Sequence, residues 1–464
     1  MPHAISRVSP TVYLFPPDSI RVIAAMLIVA TSFGCTPRDK AEPGLGAASD
    51  SASGAGAHSS MNALVLPPPL ETPSAVNFPR VIGWPAELAP GAPAGFSVTR
   101  FAANLRNPRW LYVLPNGDVL VAESQTDSLA GIPAEIADMV KASGLIGKSA
   151  NRVTLLRDKN GDGRAEVKET FLSGLNKPFG MVLVDSTLYV ASTDAVIAVP
   201  YRQGQNRISA QPRTVLDLPA GGYNNHWTRN IVASPSGKKL YVSVGSQTNV
   251  DEEGLDAREP RRAAILEINP DGSAMRIFAS GLRNPNGMDW ETRTNALWVS
   301  VNERDGLGDE LVPDYITSVR DGAFYGWPYS YFGKNEDPRQ KGKRPDLIAK
   351  AVVPDFAVGA HTASLGLVFY RGDAFPPRYR GGAFIGQHGS WNRSRFAGYR
   401  VAFVPFANGR PSGPIEDFLA GFIANEGEKT VYGRPAGLAV MRDGSLLVAD
   451  DAGGIVWRVT TAQR

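Results

Sequence analysis

The chain has 464 residues, 43% of them hydrophobic and 20% charged, which is enough apolar material for one large core. Its formal charge of +3 is small for that length, and Lys and Arg form no runs, so composition offers nucleic acid no electrostatic footprint. The only cysteine is Cys35, which excludes an internal disulfide.

At the N-terminus, Arg21 precedes an apolar run over residues 22–30 that is too short to span a bilayer. Ser32-Phe33-Gly34-Cys35 follows and is similar to a bacterial lipoprotein signal, so residues 1–35 are expected to be a lipoprotein-type signal peptide. The alternative is a plain signal peptide cleaved nearby. The first reading predicts an exported protein, periplasmic or in the cell envelope, whose membrane attachment is a lipid on Cys35. Residues 36–93 are rich in Ala, Gly, Ser and Pro without strand alternation, and are expected to be a flexible, disordered linker.

From residue 94 onward one pattern recurs six times: a polar pair often ending in proline, an apolar strand, a turn, and a second strand of the Leu-Tyr-Val-Ala kind. It reads Asn107-Pro108…Val119-Leu120-Val121-Ala122, Lys177-Pro178…Leu188-Tyr189-Val190-Ala191, and His226…Leu240-Tyr241-Val242-Ser243. It continues with Asn284-Pro285…Leu297-Trp298-Val299-Ser300, His361…Gly382-Ala383-Phe384-Ile385, and Arg434-Pro435…Leu446-Leu447-Val448-Ala449. Turns such as Leu114-Pro115-Asn116-Gly117-Asp118 separate the strands, and the period of roughly 50 to 75 residues suits one sheet per unit. The prediction is an all-β protein, a six-bladed β-propeller over residues 94–464.

In such a fold, residues just before the first strand and just after the second meet on one face. That rule places Asn107, Lys177, Asn225, His226, Arg283, Asn284, His361 and Arg434 together with Glu123, Asp194, Gln247, Glu303, Arg304, Asp305, Gln387, His388, Asp450 and Asp451. The ring of charges and imidazoles exceeds what hairpins need and marks a functional face.

Within it, His226 is positioned to accept a proton from a hydroxyl at neutral pH, and the planar guanidinium of Arg283 suits a carboxylate or a developing oxyanion. The loop Asn302-Glu303-Arg304-Asp305-Gly306-Leu307-Gly308-Asp309-Glu310 is dense in oxygen donors suited to a hard cation. Elsewhere, Asp158-Lys159-Asn160-Gly161-Asp162-Gly163…Glu166…Glu169 has EF-hand spacing between strand-like flanks. It reads as a hairpin turn, either holding a second, structural calcium through Asp158, Asn160 and Asp162 or holding no ion.

His226 with Arg229, the Gly-Leu-Arg-Asn-Pro-Asn-Gly run at 281–287, the 302–310 loop followed by Gly322-Ala323-Phe324-Tyr325-Gly326-Trp327-Pro328, and Gln387-His388-Gly389-Ser390-Trp391-Asn392 together resemble the soluble quinoprotein glucose/sorbosone dehydrogenase family, nearest its L-sorbosone dehydrogenase-like branch. The resemblance spans about residues 95 to 460. It implies a propeller that binds pyrroloquinoline quinone (PQQ) on Ca2+ and oxidises a sugar or aldose by hydride transfer to the quinone. It further implies His226 as base and Arg283 as the cation at the reduced oxygen. Asn284, Asp309, His388 and Arg434 would contact the cofactor, and Glu303, Arg304 and Asp305 would hold Ca2+ through main-chain carbonyls. Two positions depart from the glucose-oxidising members: His388 stands for a lysine, and Tyr432-Gly433-Arg434 for an Arg-x-Arg pair.

Two other readings compete: a calcium-dependent sugar lactonase, in which a carboxylate activates water beside a cation, and a non-catalytic, partner-binding propeller. The basic, histidine-rich rim suits an anionic quinone better than a side-chain carboxylate cage would. Neither the sugar, nor the electron acceptor, nor the oligomeric state leaves a mark in the sequence.

Overall fold

The computed structural model describes residues 64–128, 134–221, 224 and 226–462. The expected signal peptide, Cys35, the first half of the linker and Asn225 lie outside the described residues. What is described is nearly all β, and no helix in it is long and apolar enough to cross a membrane.

Six four-stranded antiparallel sheets follow one another along the chain. The first comprises Pro108–Val113, Val119–Glu123, Arg152–Arg157 and Val167–Ser173. The second comprises Met181–Val184, Thr187–Ala191, Ala195–Pro200 and Arg213–Asp217. The third holds Ile231–Ala233, Leu240–Val244, Ala264–Ile268 and Arg276–Ser280, and the fourth Asn284–Trp290, Leu297–Asn302, Pro313–Ser318 and Phe356–Ala360. The fifth holds Ser364–Phe369, Ala383–Gln387, Arg400–Val404 and Glu416–Leu419. The sixth joins Pro435–Val440, Leu446–Asp450 and Ile455–Thr461 to Phe96–Ala102, a strand from the other end of the domain.

The first strand of each sheet lies against the first strand of the next, and that of the sixth against that of the first. Stacked sheets bury both faces of their second strands, so Val119–Glu123, Leu240–Val244, Ala383–Gln387 and Leu446–Asp450 are buried at every residue. That is why these segments read as continuous apolar runs and not as alternation. At the centre the strands crowd: a Cβ on Gly386 would lie 2.1 Å from the Ala436 carbonyl oxygen, so only glycine fits there. Apolar residues fill the gaps between sheets, as where Trp110, Leu120 and Val153 meet Phe179, Val190 and Val199.

Residues 64–93 correct the expectation of a linker. The Leu70 N–H donates to the Leu307 carbonyl at 2.8 Å, and the Thr72 and Ser74 hydroxyl oxygens accept from the Asp309 and Gly308 amides at 2.7 and 3.2 Å. Arg80–Val81 pairs in parallel with Thr430–Val431, and Trp84 donates its indole N–H to Asp450 at 2.6 Å. Proline extends this strap while its Thr and Ser hydroxyls satisfy loop amides and its Asn77 side chain a loop carbonyl, which leaves no periodic signal. The helix Ala134–Ala142, inserted between the second and third strands of the first sheet, buries Ile136 and Val140 beneath the strap.

Candidate functional site

A cavity of about 200 Å3 opens where the loops of the third, fourth and fifth sheets converge, lined by His226, Asn249, Arg283, Asn284, Glu303, Asp305, His361, Trp391 and Asn392 among others. The pairing of Asn284 with Asn302 across the fourth sheet brings Arg283 and Asn284 beside Glu303.

His226 sits at the end of the loop entering the third sheet. Its Nδ1 is 2.9 Å from the Ser246 carbonyl oxygen, which can only accept, so Nδ1 carries the proton and Nε2 the lone pair. The buried guanidinium of Arg229 donates to the His226 carbonyl at 2.7 Å and pins that loop. Burial, reinforced by the Arg283 charge, holds the imidazole well below its ordinary value, so it is neutral at pH 7.

Arg283 is 2% exposed and its donors are engaged within the protein. Nε donates to the Asn249 carbonyl at 3.1 Å, Nη1 to the Glu303 carbonyl at 2.5 Å, and Nη2 to Asn249 Oδ1 at 2.8 Å and Asp305 Oδ2 at 2.9 Å. It therefore contributes charge to the cavity while serving as the brace between two loops. Burial alone would raise the Asp305 carboxyl, but Arg283 and His361 together hold it far below the usual carboxylate range. Asn392 Nδ2 donates to Asp305 Oδ1 at 2.6 Å and lies 3.1 Å from His361 Nδ1, while His361 Nε2 donates to the Gly308 carbonyl at 2.8 Å.

Burial dominates at the other carboxyls of the cavity. It pushes Glu303 up to about 7, only partly opposed by the Arg304 amide and the nearby Arg283 and Arg304 charges, and Asp314 up to about 6, only partly opposed by the Glu303 amide, the Thr362 hydroxyl and His361. Among the described residues, Glu303 Oε1 and Asn284 Oδ1 are buried with no hydrogen-bond partner. Two orphaned oxygens in one cavity are costly unless something electropositive meets them.

The structure thus brings together His226, Arg283, Asn284, Glu303 and Asp305, and sends other expected site residues elsewhere. The carbonyls of Glu303 and Asp305, expected to hold Ca2+, accept from Arg283 and from Asn249 with Arg304. The Arg304 side chain pairs with Asp337 at 2.8 Å. Asp309 accepts from the Ser394 amide and hydroxyl, joining two loops. Arg434 is fully buried, donating to the His388, Gly389 and Ser143 carbonyls, and the His388 ring is bound to Asp451 at 2.8 Å, so neither lines the cavity. These departures share one cause: each of these groups is engaged by a partner within the loops. On the hairpin of the first sheet, carboxylate oxygens of Asp158, Asp162 and Glu166 lie within 4.8 Å of one another, and Asn160 bonds to Asp162 instead of joining them.

Sequence reasoning missed Asn249, Trp391 and Asn392 as site residues. Asn249 lies two residues past Gln247 on the predicted rim, and the other two close the Gln387–Asn392 run; the signal was there, but the rim rule stopped two to four residues short.

A family model described as glucose/sorbosone dehydrogenase matches residues 186–392, and one described as TrAA12-like matches residues 337–462. An uncharacterized protein of Borreliella burgdorferi is 32% identical over 302 residues, which cover 62% of this chain and 77% of that one. Aldose sugar dehydrogenase YliI of Escherichia coli is 30% identical over 190 residues, 38% of this chain and 48% of the enzyme, so the matched region spans about half of that relative. Among solved structures, the holo PQQ domain of pyranose dehydrogenase from Coprinopsis cinerea superposes with a TM-score of 0.64 at 19% identity, covering 82% of this chain and all of that one.

Proposed function

The chain belongs to the glucose/sorbosone dehydrogenase family, and from that premise we propose that it is a PQQ-dependent oxidoreductase of a sugar or aldose, its six sheets forming the blades of a propeller around the cavity. The observation that carries this reading is the neutral, half-buried His226, oriented by Ser246 with its lone pair on Nε2, in a cavity with two unmet oxygens.

The residues present fit a hard cation: Glu303 Oε1 and Asn284 Oδ1 would be its side-chain donors, and a quinone bearing carboxylates would chelate the same ion from the open side. When bound, PQQ supplies the hydride acceptor, which no protein side chain can provide. His226 then takes the proton from the sugar hydroxyl at Nε2, the Ser246 carbonyl holding the ring in that tautomer. Arg283 stabilises negative charge developing nearby, and its brace to Asn249 and Asp305 keeps it from swinging away. Trp391 closes one side against water. From the sequence alone we also propose export through residues 1–35, tethering at Cys35 and a separate electron acceptor.

Reconstitution tests the reading: the chain from residue 36 onward is supplied with Ca2+ and PQQ, and quinone absorbance is followed alongside reduction of an artificial acceptor across a panel of aldoses. Sugar-dependent reduction is expected, and His226→Ala should lose about a hundredfold or more while still taking up the quinone. Absence of quinone uptake by the unaltered chain would overturn it. The orphaned carboxylate oxygen favours one second reading, a cation-dependent sugar lactonase; lactone hydrolysis with Ca2+ alone would establish that instead.

A further inference from the structure

The cavity has an aromatic wall whose support comes from outside the sheets. Trp391 lines the cavity, and Phe78 of the strap stacks on it with ring centroids 5.4 Å apart and planes 10° from parallel. Behind Phe78, Ile136 and Val140 of the helix Ala134–Ala142 join Ile146 in a buried cluster that Trp391 also touches. Three stretches far apart in sequence therefore converge on one indole.

Hydrogen bonds lock the arrangement. The Asn77 N–H donates to the Trp391 carbonyl at 2.7 Å and its Nδ2 to the Ser394 carbonyl at 3.1 Å. The Ser394 N–H donates to Asp309 Oδ1 at 3.0 Å, and the Asp309 N–H to Thr72 Oγ1 at 2.7 Å. Strap, 305–310 loop and 391–394 loop form one bonded unit, and Asn392, next to Trp391, reaches Asp305 inside the cavity. The position of the indole is thus coupled to the same loop that braces Arg283.

The face of an indole packs well against the C–H face of a pyranose, whose hydroxyls then point to polar groups at the edge. Under this roof the cavity measures about 200 Å3, below the roughly 300–1,000 Å3 of pockets that take drug-sized ligands. Trp391, backed by Phe78, forms one wall of this small cavity, so the stack limits how much of a saccharide can enter.

We propose that Trp391 is the platform for the sugar ring and that Phe78 is a positioning residue which holds it closed, making the enzyme selective for monosaccharides over longer saccharides. This rests on the sugar-oxidising reading above. The strap is then part of the specificity apparatus.

The test compares Phe78→Ala with the unaltered chain, both loaded with Ca2+ and PQQ, using glucose and its disaccharides maltose and cellobiose. The ratio of kcat/KM for disaccharide over glucose should rise at least tenfold in Phe78→Ala, mainly through a lower KM for the disaccharide, and Phe78→Tyr should restore the original ratio. A merely structural role would lower every kcat together and leave the ratio alone. If Phe78→Ala fails to fold, Phe78→Leu, which keeps most of the buried volume and removes the stack, gives the same comparison. Quinone uptake and glucose oxidation with an unchanged ratio would overturn the roof alone. No quinone uptake would overturn the enzyme reading and the roof with it.

Discussion

Asp450 and Asp451 are neighbours in sequence and meet opposite electrostatics. Burial pushes Asp450 up to about 6, because its partners, the Arg434 and Gly453 amides and the Trp84 and Trp457 indoles, are neutral donors. Asp451 is equally buried, yet His388 and Arg109, the latter at 2.5 Å, hold it well below the carboxylate range. His388 is itself lowered to about 4 by burial, with Asp451 opposing and Arg434 and Arg109 adding to the drop. It is thus a neutral imidazole donating Nε2–H to an ionised carboxylate. Since the unfolded imidazole binds its proton near 6.5 and the folded one only near 4, the unfolded state binds more protons between those values. Stability contributed by His388 is therefore full above about 6.5 and falls as pH drops toward 4. Thermal unfolding of the unaltered chain and of His388→Gln across that range should show the steeper acid loss in the unaltered chain; parallel curves would reject the assignment. The six-fold repeat and the positions flanking its strands were enough to place His388, Arg434, Asp450 and Asp451 on one face. Which of them pair with each other depends on loops between the fifth and sixth sheets, and no sequence pattern carries that.

At the scale of elements, the strap and the 305–310 loop meet at Gly308. Its φ is +103°, and an added Cβ would lie 2.5 Å from the Thr72 carbonyl oxygen, so both conformation and space require glycine. Gly308→Ala should lift the strap at a cost of about 1–3 kcal/mol, read as a Tm lowered by several degrees in calorimetry. The same variant should shift saccharide selectivity in the direction of Phe78→Ala, because Thr72 and Asp309 hold the unit that carries Trp391. An unchanged Tm would mean that the contact does not anchor the strap. Composition misled here for a definite reason: Leu70, Thr72, Ser74 and Asn77 each act through only one or two hydrogen bonds to loops, and isolated caps leave no repeat to count. The helix Ala134–Ala142 was equally invisible, being nine residues long with only Ile136 and Val140 turned inward.

At the scale of the molecule, the six sheets were legible because each repeats the same turn and the same apolar second strand, and the neighbour-to-neighbour order of their first strands follows the chain. The sixth sheet was only partly legible, since Phe96–Ala102 is distant in sequence from its partner Ile455–Thr461. Removing the chain from Ile455 onward would delete the fully buried Trp457 and leave Phe96–Ala102 without a neighbour. Such a chain should lose its cooperative melting transition by circular dichroism; a sharp transition near that of the full chain would show that the ring does not need this closure. The arrangement also has a consequence for biosynthesis. Phe96–Ala102 leaves the ribosome before any of the strands it will join, and its partner follows the other five sheets. During that interval a half-made product presents open strand edges to every other nascent copy, so its yield in a cell depends on what shields them until the last strand arrives.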